Sequence, residues 1–262
     1  MTSTESDGVR LEREGDLAVV TLARPERRNA QTPATWRRLA AVGAEVLDGD
    51  VRVVILRAEG VSFSAGLDHG MLRPGGIEGE PSLADLAALP EDQLDAQIAT
   101  YQEAFTWWRD QRVVSVAAVQ GHAVGAGFQL ALACDLRILA TDAQLSMREP
   151  NLGLVPDLGG TRPLVDLVGY PRALEICATE RWVRADEART LRLAELVVPP
   201  EDLDAAARDL AAALLAAPVG AVRETKALLR DAVGRDYDVQ RQAERTAQGR
   251  RLRVMAALMK GS

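Results

Sequence analysis

The stretch VVSVAAVQGHAVGAGFQLALAC, Val113 to Cys134, carries no charge over its whole length. It is long enough to cross a bilayer. Gln120, His122 and Gln129 would each be costly in lipid, however, and the pattern changes character midway. VVSVAAV has the composition of a buried strand, GHAVGAG that of a turn, and FQLALAC that of a buried helix. An apolar strand without alternation belongs inside a parallel sheet covered on both faces. The segment is therefore read as strand, glycine turn and helix in a globular core.

Working outward, the same order recurs. Val9 to Leu22 holds two β-rich runs around a turn at Glu14–Asp16 and predicts a hairpin. Thr32 and Pro33 supply an N-cap and a first helical residue for a helix over 32–48. VRVVILR at 51–57 predicts a strand, and LRILA at 136–140 another. Residues 73–91, rich in Gly, Pro and acids, read as a mobile surface loop, and 92–112 as a helix. Beyond Gly160 helices are expected over 163–179, 185–195, 202–216 and 219–233, then a basic amphipathic segment over 235–259. Strands separated by helices imply right-handed crossovers and an α/β fold. The expected division is a disordered tail over 1–8, a core over 9–199 and a helical region over 200–262.

Composition narrows the function. With 31 Lys and Arg against 38 Asp and Glu, the net charge of −7 argues against nucleic acid as the main partner. Two cysteines, Cys134 and Cys177, and two histidines, His69 and His122, make neither a disulfide framework nor a zinc site, so no metal is expected. The first residues, MTSTESDGVRLE, lack the basic and apolar blocks of a secretion signal. A reducing, cytoplasmic setting is the expectation, with no membrane partner. GxGxxG fails because Leu130 stands where the third glycine should be, and there is no P-loop or GxSxG elbow.

What remains is glycine at two strand ends: VSFSAGLDHGM at 61–71 and QGHAVGAGFQ at 120–129. Such turns let backbone approach a ligand, and two of them on neighbouring strands can aim two N–H groups at one oxygen. Downstream, REPNLGLVPDLGG at 148–160 places two carboxylates, Glu149 and Asp157, among turn residues.

These segments resemble the crotonase, or enoyl-CoA hydratase/isomerase, superfamily. The resemblance is carried by ARPERRNA (23–30), FSAGLD (63–68), VQGHAVGAGFQLALACDLRI (119–138), GLVPDLGGT (153–161) and ADEARTLRLAELVV (185–198). It implies an α/β spiral of ββα repeats with a helical C-terminal trimerisation region, and a homotrimer or a hexamer made of two trimers. It implies an acyl-CoA thioester substrate, with coenzyme A as part of the substrate and no separate cofactor. By motif, the oxyanion hole falls on the backbone N–H groups of Leu67 and Ala126, the latter where the family often has glycine. Coenzyme A contacts fall on Arg27 and Arg28 and on the turn residues Ser64, Ala65 and Asp68. Contact of the basic stretch 241–253 with a neighbour's coenzyme A, or a merely solvated face there, both stay open.

Hydratases of this family carry two glutamates, at the positions of Gln129 and Glu149 here. An amide cannot exchange a proton as a carboxylate does, though it can orient water. An acid at the position of Asp157 resembles isomerase-type relatives. Glu149 and Asp157 are thus the expected acid–base pair of an enoyl-CoA double-bond isomerase. The alternatives are a hydratase running on Glu149 with Gln129 orienting water, and an acyl-CoA-binding protein with weak chemistry. His122 is expected to be structural, Cys134 to be core, and His69 to lie beside the acyl pocket.

Overall fold

The computed structural model describes residues 7–73 and 75–261, so the expected tail over 1–8 falls mostly outside the described residues. β1 (Val9–Glu14) and β2 (Leu17–Leu22) form the expected hairpin, turned by Gly15 and Asp16 with Gly15 at φ +62°. α1 (Pro33–Leu47) starts at the expected cap: Thr32 Oγ1 accepts the Thr35 N–H at 3.2 Å, and the Thr35 hydroxyl answers the Thr32 N–H. β3 (Val53–Ala58) follows.

The region expected to be a loop contains α2 (Leu83–Ala87), held by a second reciprocal cap between Ser82 and Asp85. α3 (Glu91–Thr106) stops six residues short of the expected end. There Trp107 and Trp108 stack with ring centroids 3.9 Å apart, and Gly43 of α1 presses so close that a Cβ would lie 2.5 Å from the Trp107 ring.

β4 (Val114–Val119), β5 (His122–Val124), α4 (Ala126–Ala133), β6 (Leu136–Ala140) and β7 (Gln144–Ser146) come next. The uncharged stretch is thus β4, a turn, β5 and α4, and no single described helix is long and apolar enough to cross a membrane. The expected helix over 163–179 is two, α5 (Thr161–Val168) and α6 (Tyr170–Thr179), broken at Gly169, whose φ of +74° and ψ of 160° leave the helical region. After β8 (Val183–Arg184), α7 (Ala185–Thr190) ends early, with Arg192 at φ +63°. β9 (Leu196–Val198), α8 (Leu203–Ala216), α9 (Val219–Ala232) and α10 (Tyr237–Gly261) complete the chain.

Two sheets result. The larger has the order β1-β2-β3-β4-β6-β9, parallel except for the hairpin, and the smaller has the order β5-β7-β8. The chain leaves β4 for β5 through Gly121 (φ +55°), where a Cβ would lie 2.0 Å from the Val61 carbonyl oxygen. β4–β5–α4 and then β6–β7–α5 repeat one motif: a long strand, a short strand in the other sheet, and a helix. This is the expected ββα spiral.

The central strands are apolar on both faces because both are covered. Val54, Leu56, Ala117 and Val119 face α1, α3 and α4, in the cluster that holds Leu39, Val42 and Trp108. Val53, Ile55, Val116, Ala118 and Ile138 face α8 through its Leu203, Ala207 and Ala211. α8 is therefore part of the core, although it lies beyond residue 199. α9 is tied to the sheet by Lys226, whose Nζ donates to Asp135 Oδ2 and the Val113 carbonyl, both at 2.6 Å.

Candidate active site

The two glycine turns lie side by side. The Phe63 N–H donates to the Gln120 carbonyl at 2.9 Å, the Ser64 N–H to the His122 carbonyl at 2.9 Å, and the Val124 N–H back to the Ser64 carbonyl at 3.0 Å. Both bends need glycine. At Gly66 (φ +83°) a Cβ would lie 2.5 Å from the Val124 carbonyl oxygen and 3.7 Å from the Ala126 nitrogen, while Gly125 has φ +48° and ψ −117°. Gln31 fixes the first turn: its N–H donates to the Gly66 carbonyl and its carbonyl accepts the Asp68 N–H. The Leu67 N–H between them has no acceptor among the described residues. The same holds for the Ala126 N–H, which opens α4 where a helix has no partner of its own to offer. Two unspent donors thus stand at adjoining bends, as an oxyanion hole requires.

The structure places Glu149 against this feature. A Cβ on Gly125 would sit 3.2 Å from Glu149 Oε1. That oxygen accepts the Gln129 Nε2–H at 2.6 Å, whereas Oε2 is buried with no partner among the described residues. Burial, with a smaller push from the charge of Asp157, raises the Glu149 pKa above the usual carboxylate range.

Gln129, 1% exposed, is fully engaged at its oxygen: Oε1 accepts the N–H groups of Leu158 at 3.0 Å and Gly160 at 3.2 Å. Two backbone donors on that atom fix which end is oxygen and so turn the NH2 toward Glu149. Gly160 must be glycine for this contact, since a Cβ would lie 2.7 Å from Gln129 Cγ. Asp157 lies at the rim. Its backbone carbonyl accepts the Gln102 amide at 2.6 Å, its carboxylate makes no ion pair or side-chain hydrogen bond among the described residues, and burial raises its pKa.

Glu149, Asp157, Leu67 and Ala126 all line one cavity of about 370 Å³. Its other walls are mainly apolar: Trp36, Met71, Leu83, Leu86, Leu94 and Ile98, with Tyr101 among them. His69 and Arg148 add polar groups, and Arg148 lies with Cζ 4.8 Å from the Trp182 ring centroid. Trp36 and Tyr101 have only the helical spacing of core residues in the sequence, and Leu83 and Leu86 fall in the region expected to be a loop. The Ser82–Asp85 capping pattern was the signal that marks that region as helical.

Of the other expected site residues, Ala65 also lines the cavity. Ser64 is fully buried: its hydroxyl donates to the Asn29 carbonyl at 2.7 Å and accepts from Gln31 Nε2 and the Gly66 N–H. Asp68, 4% exposed, caps the next turn through the Gly70 N–H and faces Arg24 at 3.3 Å and Arg27 at 3.6 Å. Both side chains hold the turn together. Arg27 and Arg28 are exposed beside it, and the Arg28 carbonyl accepts the Ala65 N–H at 2.8 Å. His122 is structural in its contacts, with Nδ1 3.2 Å from Ser62 Oγ and its ring edge-on to Trp182. Cys134 is buried in the core, where burial pushes the thiol up to about 12. Among the described residues no group of three or more His, Cys, Asp or Glu is placed to hold a metal ion.

Known proteins resemble this chain in sequence and in fold. The sequence model of the enoyl-CoA hydratase/isomerase family matches residues 12–255. The short-chain-enoyl-CoA hydratase of Clostridium acetobutylicum is 31% identical over 237 residues, covering 89% of this chain and 85% of that protein. The crotonyl-CoA hydratase of Syntrophomonas wolfei is 32% identical, covering 88% and 85%. Among solved structures, a hydratase-type protein of Thermobifida fusca YX in complex with acetoacetyl-CoA superposes with a TM-score of 0.90 at 52% identity, covering 94% of this chain and 95% of that one. The chain belongs to the enoyl-CoA hydratase/isomerase family.

Proposed function

We propose that this acyl-CoA enzyme is a double-bond isomerase, interconverting 3-enoyl- and 2-enoyl-CoA by proton transfer between Glu149 and Asp157. The observation that carries this reading is Gln129. Its amide occupies the place of a second glutamate, its oxygen is taken by Leu158 and Gly160, and its NH2 is spent on Glu149. The cavity is therefore lined by Glu149, one oxygen of which is unpartnered among the described residues, and by Asp157 at the rim, both with raised pKa values.

In this mechanism the thioester oxygen takes the Leu67 and Ala126 N–H groups, which lowers the cost of enolate formation. Glu149 Oε2 removes a proton from C2, and the electron pair is delocalised onto the thioester oxygen. Asp157, arriving protonated, supplies a proton at C4 as the enolate collapses to the conjugated product. A raised pKa suits both groups, since each must accept and release a proton near neutrality.

Hydration is the second reading. It is favoured by Glu149 Oε2, whose hydrogen-bonding capacity is unspent among the described residues. Purified protein offered 3-enoyl-CoA in deuterated solvent should yield conjugated 2-enoyl-CoA carrying deuterium, without net water addition. Rapid formation of 3-hydroxyacyl-CoA from 2-enoyl-CoA, with no such shift, refutes the isomerase.

The assembly belongs to the same proposal: a homotrimer, or two trimers paired. α10 leaves Val239, Leu252, Met255 and Met259 between 48% and 73% exposed, which suits burial against a second copy. Light scattering should give three or six times the chain mass, and a monomer overturns this part.

A further inference from the structure

Gln31 sits behind the first donor of the oxyanion hole and is 0% exposed. Its backbone brackets Leu67, the N–H donating to the Gly66 carbonyl at 2.7 Å and the carbonyl accepting the Asp68 N–H at 2.8 Å. Its side chain makes two further buried bonds that proton transfer does not use. Oε1 accepts the Trp36 indole N–H at 2.8 Å, and Nε2 donates to Ser64 Oγ at 3.1 Å. An indole N–H can only donate, so it fixes which end of the amide is oxygen and turns the NH2 toward Ser64.

Ser64 is in turn fully engaged. Its hydroxyl donates to the Asn29 carbonyl at 2.7 Å and also accepts the Gly66 N–H at 3.2 Å. Its backbone joins the two turns, its N–H donating to the His122 carbonyl at 2.9 Å and its carbonyl accepting the Val124 N–H at 3.0 Å. On the far side, a Cβ at Gly127, next to Ala126, would lie 2.7 Å from Ser64 Cβ. The spacing of the Leu67 and Ala126 donors thus depends on where Ser64 stands, and the Gln31 amide is one of the groups that place it.

The other end of this hydrogen-bonded chain is the cavity wall. Trp36 lines the cavity, and so does Tyr101, whose ring centroid lies 4.8 Å from that of Trp36. An acyl chain along that wall adds packing contacts that hold the indole in place, and a thioester too short to reach it does not.

We propose that Gln31 is a positioning residue for the oxyanion hole, and that through Trp36 the hole is held more firmly when an acyl chain fills the cavity. The proposal rests on the acyl-CoA reading above and adds to it a use for the remote part of the substrate. Binding energy from the chain goes into aligning the donors at the reacting carbonyl.

The test uses saturated thioesters labelled with carbon-13 at the carbonyl, so that it does not depend on which reaction the enzyme runs. Acetyl-CoA and octanoyl-CoA are bound to the full-length protein, to Gln31→Leu and to Trp36→Phe, and the carbonyl stretch is read by difference infrared spectroscopy. In the native protein both bands should lie below their free positions, that of octanoyl-CoA the lower. In each variant the octanoyl-CoA band should move back toward its free position and onto the acetyl-CoA band. Deuterium uptake at C2 of bound octanoyl-CoA should slow about tenfold or more with it. Trp36→Phe keeps an aromatic side chain and removes only the donor, so it carries the test should Gln31→Leu fail to fold. Two results overturn the proposal. One is an equal shift of the two thioesters in the native protein. The other is an octanoyl-CoA band unmoved in Trp36→Phe, even with a lower melting temperature, since the amide would then serve the fold alone. If neither thioester binds the native protein, the acyl-CoA reading falls and the proposal with it.

Discussion

Replacing Gln129 with Glu changes one atom type and should move the titration of a different residue. In the native site, Gln129 Nε2 donates to Glu149 Oε1 at 2.6 Å. In Gln129→Glu a carboxylate oxygen would face that oxygen instead. The other oxygen at position 129 would still accept the Leu158 and Gly160 N–H groups, which favour the charged form of residue 129. Two carboxyls in such contact share a proton, and the two N–H donors push that proton onto Glu149. Loss of a hydrogen bond to a charged acceptor is worth about 1.5–3 kcal/mol, or roughly one to two pKa units, before repulsion is added. With Glu149 acting as base, the acid limb of the kcat/KM profile for 3-enoyl-CoA should therefore rise by at least about one unit. At any pH on the acid limb, activity should fall roughly tenfold and recover as the pH is raised. Gln129→Met, which removes the donor without adding charge, should give a smaller rise. A uniform loss of activity with the acid limb unmoved would refute the idea that this amide sets the state of Glu149.

Further outcomes follow from other contacts. Glu149→Gln should lose most turnover yet unfold at a higher temperature than the native protein near pH 7. The folded carboxyl holds its proton more tightly than the unfolded one, so native stability falls as pH rises from about 4 toward the raised folded value. Melting curves from pH 4 to 7 should show the variant's advantage growing with pH, and a shrinking advantage contradicts the burial argument. Gly125→Ala forces a Cβ into a φ, ψ region closed to other residues and 3.2 Å from Glu149 Oε1. It should cost about 1–3 kcal/mol of stability and at least about a hundredfold in turnover, and near-native turnover would remove the turn from the site. Lys226→Met leaves Asp135 without its cation, which should cost about 3 kcal/mol in urea unfolding, and a loss below about 0.5 kcal/mol would mean that solvent takes over the pair's role.

The sequence exposes those features whose cause is local. α1 is readable from Thr32 and Pro33 because a cap and a first-turn proline act within a few residues. β3, β4 and β6 are readable because strands covered on both faces are continuously apolar. β5, β7, β8 and β9 have two or three residues each and exist through distant partners, as where the Gln144 N–H meets the Gly121 carbonyl, so no local composition marks them. The site divides in the same way. Both glycine turns and both acids stand out in the sequence, and so does the missing acid at position 129. What Gln129 does instead depends on Leu158 and Gly160, some thirty residues away in sequence. Tyr101 has the pattern of an ordinary core residue, because only the fold brings it to the cavity wall.

The cover that α8 provides has a consequence for how the chain is made. Domains emerge from the ribosome N-terminus first. Val53, Ile55, Val116 and Ile138 are synthesised well before Leu203, Ala207 and Ala211, which shield them. Until residue 216 is free of the exit tunnel, one side of the nascent sheet stays wet and adhesive. Completion of the native state is thereby deferred to the last quarter of translation, and slowing the ribosome between residues 140 and 216 should increase aggregation of the nascent chain.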